Sequence, residues 1–392
     1  MKTIAIVTPK IDTFSNPTLT LLIEKLIERG YKILFLGYEQ IFTSSEIMGK
    51  INFYSLPFNF YKFKKNPNSL IKLLKQYFDL YKLLKIENKV SLIICIDPFG
   101  LVIAGRIKKI IDVKLIYISF EIFFEDEFFV QRKKILKRLE MEYSQKVDLV
   151  VIQDERREKL LKNVNNFNER TKFMKIPVSP KPIDLSSNTY NIYKELNIPE
   201  GKKIVVYSGT LQNWCGINEI LNLFPEKWNP DFWFVIHSHH KIIENTEIKI
   251  KMDNFKKKKY NISYHNEPFY DYAEYTKFLS KCHIGIATYF PNNIDIFAGK
   301  NIQEIGLASG KFSTYMMIGL PTITTANSMY PELNLKYCFG ETIQNVSEIP
   351  EALIKILNDY ENKILGCKAL YENVLNPVSG INSLMDYIEV DK

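Results

Sequence analysis

Short runs of consecutive apolar residues alternate with longer helical stretches along nearly the whole chain, and this order constrains the fold more than any other feature. Residues 4–8, 31–37, 91–96, 113–119 and 148–153 read as strands that are apolar throughout rather than on alternate positions. Such strands are buried on both faces, which requires a parallel sheet with helices on each side. Asn16 and Pro17 supply an N-cap and a first-turn proline for a helix that Gly30 closes. Further helices are expected over residues 68–85, after Pro98 and over residues 131–145. Between residues 175 and 203, Pro177, Pro180, Pro182, Ser186, Ser187 and Pro199 break the pattern, as at a domain boundary. Alternation then restarts with strands at 204–208, 232–237, 261–265, 284–288 and 322–325, and helices near 347–358, 360–375 and 377–389 follow. The expected domains are residues 1–178 and 179–376, with residues 377–392 as a terminal helix packing back on the first. Two such α/β domains leave a cleft toward which the carboxyl ends of both sheets open, so the loops after strands should carry the chemistry.

A chain of 392 residues exceeds one ordinary core, and 46% hydrophobic residues exclude global disorder. The net charge of +8 favours anionic partners without choosing among nucleic acid, acidic lipid and nucleotide-linked substrates. Five scattered cysteines form no CxxC pair and cannot close a complete disulfide framework, which points to a reducing compartment. With neither a signal peptide nor an apolar run long enough to span a bilayer, the expected location is cytoplasmic.

Residues 299–321 read as loop, helix, stop and strand. Ser309 caps a helix, Gly319 fits the left-handed position past its end, and Pro321 prevents continuation. Lys311 stands in the first turn, where a cation opposes the helix dipole by about 0.3–1 kcal/mol. A bound anion would relieve that conflict: the backbone N–H groups of residues 310–312, the Ser309 hydroxyl and the Lys311 ammonium together suit a phosphate or diphosphate. A solvated lysine on an ordinary capped helix is the other reading.

Cys282-His283-Ile284-Gly285-Ile286-Ala287 resembles the "ADIGI" strand of the two-domain GT-B glycosyltransferases, and residues 309–323 resemble their "S-x-K-x-x-E-Y-M-A-A-G-x-P-V-I" diphosphate helix. The chain is thus similar to bacterial sugar transferases of the glycogen-synthase-like type. The resemblance implies a GT-B fold: two Rossmann-like, doubly wound parallel-sheet domains facing a cleft. It implies a nucleotide diphosphate sugar, UDP- or GDP-linked, with Ser309, Gly310 and Lys311 at the diphosphate and Gly209 and Thr210 facing it. Outside the motif, Lys300 and Asn301 are candidates for phosphate or sugar contact, with a surface turn as the other reading, and Glu304 for a ribose or sugar hydroxyl, with a solvated loop glutamate as the other. No D-x-D occurs, so no obligatory metal or other cofactor is expected.

Two departures from the family pattern stand out. Retaining members carry two glutamates eight positions apart, whereas here Glu304 is followed at that distance by Phe312 and preceded by Ile296. The Arg/Lys pair of the first donor-domain loop is missing from residues 209–214. The stereochemical outcome stays open. For an inverting reaction, Asp12 and Glu121 are the candidate bases on loops of the first domain, with a helix cap or surface carboxylate as the other reading of each.

Other features are weaker. His237, His239 and His240 follow a strand without a second ligand group nearby, so sugar or phosphate contact, or loop structure, stands ahead of zinc. Asp154 reads as a helix cap. Residues 61–89 interleave lysines with Phe63, Tyr77, Phe78 and Tyr81, and Arg132, Lys133, Lys134, Lys137 and Arg138 form a second basic cluster. Peripheral contact with an acidic membrane, where lipid-linked acceptors reside, is one use of these charges; a solvated helix face is the other. Nothing suggests an RNA-binding strand. The expected function is transfer of a sugar from a nucleotide diphosphate donor to a glycan or lipid-linked glycan in surface polysaccharide synthesis, such as O-antigen or capsule. The rival readings are a nucleotide-sugar epimerase of the same fold and a non-catalytic basic adapter.

Overall fold

The computed structural model describes residues 2–8, 10–12, 16–37, 39–41, 49–56, 78–87, 89–127, 131–238, 246–265, 267–269, 271–294 and 297–390. Two compact units divide the chain: one comprises Met1–Pro177 with Val378–Lys392, the other Val178–Pro377.

The first unit has β1 (Thr3–Val7), β2 (Lys10–Asp12), β3 (Lys32–Gly37), β4 (Glu39–Ile41), β5 (Ile51–Ser55), β6 (Val90–Ile96), β7 (Lys114–Ile118), β8 (Leu149–Ile152) and β9 (Lys172–Lys175). Seven of these make a parallel sheet in the order β5-β3-β1-β6-β7-β8-β9, while β2 and β4 pair separately. The strand order reverses between β1 and β6, so their carboxyl ends diverge into loops and leave room for a ligand. As expected from sequence, Asn16 Oδ1 accepts from Leu19 N–H at 3.0 Å to cap the Pro17–Glu28 helix. The helix Val378–Glu389 belongs here: Ile381, Leu384 and Met385 join Leu19, Leu22 and Ile176 in one core, and Arg29 pairs with Glu389 at 2.8 Å.

The second unit contains β10 (Lys203–Ser208), β11 (Phe232–His237), β12 (Ile262–His265), β13 (Ile284–Ala287), β14 (Thr322–Thr325) and β15 (Gly340–Ile343). They form a parallel sheet in the order β12-β11-β10-β13-β14-β15. The reversal here falls between β10 and β13. Both units are therefore doubly wound α/β layers, as the alternation requires.

Pattern reading missed the short or polar strands β2, β4, β5, β9 and β15. β9, with sequence KFMK, has charged ends, and β15, with GETI, has one strongly apolar residue; each becomes a strand by pairing with a neighbour already in the sheet. Most of the stretch 61–89 lies outside the described residues, as do His239 and His240. Within that stretch, residues 78–81 are α-helical and Lys82–Glu87 form a π-helical turn. None of the described helices is long and apolar enough to cross a membrane.

Candidate functional site

At the reversal point of the second unit, the loops leaving β10 and β13 flank the N-terminus of the helix Gly310–Met317. Ser309 is extended (φ −87°, ψ 100°), and its Oγ accepts from Phe312 N–H at 3.1 Å. The same Oγ hydrogen-bonds the Tyr289 hydroxyl, so Ser309 is engaged twice and acts on the site through the helix cap. The cap consumes the Phe312 N–H. That leaves the amides of Gly310 and Lys311, rather than all three of residues 310–312, as donors for an anion.

Lys311 is not the solvated lysine of the simpler reading. Its side chain keeps some exposure, but Nζ is buried and has no hydrogen-bond acceptor among the described residues. The ammonium lies 3.9 Å from the centroid of the Tyr207 ring and 5.1 Å from that of Tyr289. Burial pulls its pKa down to about 7, because the ion loses water. A buried cation without a counter-ion is a strong electrostatic request for an anion.

Gly209 meets Lys311 from the opposite loop. A Cβ placed on it would lie 3.7 Å from Lys311 Cδ and 3.8 Å from Nζ, ordinary contact distances. Its φ of +152° is the stronger reason for glycine there. Thr210 joins the arrangement through its carbonyl, which accepts from the Tyr207 hydroxyl at 2.6 Å. Beneath this loop, Ser208 Oγ hydrogen-bonds His237 Nδ1 at 2.7 Å and the Tyr275 hydroxyl at 2.8 Å, and Ser208 N–H donates to Tyr315 Oη at 3.0 Å. His237 is fully buried in this network.

Gly209, Thr210, Ser309, Gly310 and Lys311 thus come together. Lys300 and Asn301 lie on the short helix Lys300–Gln303, Lys300 exposed and Asn301 buried, and Glu304 caps its C-terminus half-buried. Lys311 Nζ bonds none of them. Counting eight residues from Glu304 reaches Phe312, which is fully buried against Tyr330 and Phe339 with ring centroids 4.8 and 5.1 Å away. That position belongs to the core. Counted along the diphosphate-helix motif itself, the glutamate position is Thr314, whose hydroxyl donates to Gly310 O at 2.7 Å and bonds Tyr272 Oη at 2.5 Å. A carboxylate is absent at both positions.

In the first unit, Asp12 ends β2 opposite Ile41. Glu121, half-buried, sits in a loop pinned from two sides. Gln153 Nε2 donates to Ser119 O at 2.9 Å and Arg157 Nη2 to Phe120 O at 2.6 Å, while Asp97 Oδ1 accepts the N–H groups of Phe120 and Glu121 at 2.7 and 2.9 Å. Asp154 caps its helix as expected, accepting from Arg157 N–H at 2.9 Å.

Asp97 lies in one of the loops after strands where the sequence places the chemistry, but it is not among the candidate bases drawn from the sequence. It follows β6 at the reversal point with a φ of +58°, a strained value for a residue with a Cβ. Burial raises its pKa to about 6, against the two amides and Arg157, which lower it. The available signal was the dipeptide Asp97-Pro98 directly after an apolar strand; the strain and burial are visible only in three dimensions.

Two all-parallel units with this strand order and a helix N-terminus at the second reversal define the fold of the GT-B glycosyltransferases. Solved structures similar over the whole chain include HepE from Anabaena, determined with UDP and glucose (TM-score 0.71, 12% identity, 100% of both chains). Sucrose-phosphate synthase from Thermosynechococcus elongatus has a TM-score of 0.68 at 12% identity over 99% of this chain and 98% of that one. WaaG, a glycosyltransferase involved in lipopolysaccharide biosynthesis, gives 0.65 at 11% identity over 98% and 99%. No protein-family model matches the sequence, and no curated protein is significantly similar to it.

Proposed function

We propose that this protein is a glycosyltransferase that binds a nucleoside diphosphate sugar in the unit Val178–Pro377 and transfers its glycosyl group to a hydroxyl of a glycan or lipid-linked glycan. The observation that carries the reading is the buried Lys311 ammonium at the first turn of Gly310–Met317, with no acceptor among the described residues. A diphosphate there receives the Lys311 charge, the Gly310 and Lys311 amides and the dipole of the helix, all fixed in place before the leaving group develops charge. This set supplies the neutralisation for which other transferases use a metal, so the reaction we propose is metal-independent. HepE, of the same fold, was solved with UDP and UDP-glucose, which supports a UDP-linked donor ahead of a GDP-linked one.

To the acceptor side we assign Asp97. One of its carboxylate oxygens is held by two amides, its raised pKa suits proton transfer near neutrality, and it stands at the carboxyl edge of the sheet. Asp12 and Glu121 remain the further carboxylates proposed for that edge, and Glu304, Lys300 and Asn301 the residues proposed for the donor's ribose or sugar. The role of WaaG in lipopolysaccharide biosynthesis supports surface polysaccharide as the pathway, and for the acceptor we propose a position at the inner face of a membrane. The test is transfer from UDP- and GDP-sugars to a panel of lipid-linked glycans, with and without chelator. Loss of nucleotide binding but not of folding in Lys311→Ala supports the reading, and undiminished UDP affinity in that variant refutes it.

A further inference from the structure

Lys311 rests on an aromatic bed where an acidic partner would be the usual solution. Among the described residues, the ionisable groups that face its ammonium are Tyr207 at the end of β10, Tyr289 just past β13, and Cys215 in the turn Asn213–Cys215. No ion pair to it exists among the described residues. Burial raises both tyrosines well above their ordinary range, so they act as neutral rings near pH 7. Each ring is also tied to a segment of the site. The Tyr207 hydroxyl donates to the Thr210 carbonyl, and the Tyr289 hydroxyl bonds the Ser309 cap. Neither ring can swing away from the lysine without releasing the first loop or the helix N-terminus.

The chemistry differs from that of a carboxylate in one respect that matters. An Asp or Glu beside Lys311 would raise its pKa but would neutralise it, take up its N–H groups and repel a diphosphate. A ring face attracts the charge through its quadrupole and leaves all three ammonium donors unused. We propose that Tyr207 and Tyr289 are positioning residues that hold the Lys311 ammonium in place, charged and with its donors unspent, and so set the pH range over which the domain takes a nucleoside diphosphate. This inference rests on the donor-site reading given above.

The test replaces Tyr207 by phenylalanine and then by mono-, di- and trifluorinated phenylalanines, which weaken the ring's negative face at nearly constant shape. Two quantities are read on the full chain: the Lys311 titration midpoint, from NMR of 13Cε-lysine assigned with Lys311→Arg, and UDP affinity by calorimetry between about pH 6 and pH 9. The midpoint should fall stepwise with fluorination, by about one pH unit across the series. UDP affinity at about pH 8 should fall in parallel by up to about tenfold along the fluorinated series, with little change at about pH 6 and no change in melting temperature relative to the phenylalanine variant. A midpoint indifferent to fluorination overturns the assignment, as does a loss that occurs wholly on removing the hydroxyl. If the midpoint follows the ring while UDP binds neither wild type nor variants, the tyrosine bed stands and the donor reading falls.

Discussion

Replacing Lys311 by methionine should separate what the site does from what it costs the fold. Lysine has a pKa of 10.5 in the unfolded chain and about 7 at this buried position. The sign follows from proton counting. Between those two values the unfolded state binds more protons than the native state, so wild-type stability rises with pH from about 7 to 10.5 and is lowest below 7. The interval is equivalent to about 5 kcal/mol, of which about 4 is still unrelieved at pH 7, where half the native molecules carry the charge. Methionine is close in length and carries no charge. It loses the cation–π attraction, worth roughly 0.5–2 kcal/mol, and removes the desolvation of the ion. The net expectation at pH 7 is a gain of about 2 kcal/mol, or about 4–8 °C in the melting transition of a unit of this size. The gain should shrink to nothing as pH approaches 10. Calorimetric melts of wild type and Lys311→Met between about pH 6 and pH 9.5, with UDP titrations alongside, measure both effects. A variant less stable than wild type at pH 7, or one that still binds UDP equally well, refutes the argument that Lys311 is a strained cation kept for an anion.

Five further outcomes follow from the same geometry. In wild type, UDP binding above about pH 7 should take up a proton, because the diphosphate raises the Lys311 pKa; calorimetry in buffers of different ionisation enthalpy reads that uptake, and its absence at pH 8 contradicts it. Gly209→Ala places a Cβ at φ +152° and should cost about 1–3 kcal/mol, seen as weaker nucleotide affinity and a lower melting temperature. Asp97→Asn keeps an oxygen for the Phe120 and Glu121 amides, so the fold should survive while transfer falls by about 10²–10⁴ without a change in UDP affinity. Because the native Asp97 pKa lies above its ordinary value, wild type loses stability as pH rises from about 4 to 6, a slope the Asn variant should lack in chemical denaturation. Phe312→Glu, which restores the carboxylate counted from Glu304, should destabilise by at least about 3–5 kcal/mol and restore no activity, since the position is core.

Sequence alone determined the architecture and one pole of the candidate site. Parallel strands buried on both faces leave a one-dimensional mark, uninterrupted apolar runs between helices, and residues 204–208 or 284–288 could be little else. The Ser309 cap and Gly319 at φ +71° are local too, since capping and left-handed backbone are set by a few neighbouring residues. Strands such as β9 and β15 left no such mark because their pairing partners make them. How Lys311 is buried was decided only by tertiary structure. In sequence it was a lysine at the wrong end of a helix; in the fold, Tyr207 and Tyr289, 104 and 22 positions away, bury its charge against two rings. The same holds for Phe312, whose burial places it in the core, and for Asp97, whose carboxyl environment is made by burial, the Phe120–Glu121 amides and Arg157 together. Desolvation depends on everything packed around a group, most of it distant in the chain, and for that reason the electrostatics of the site could not be read until the chain was folded.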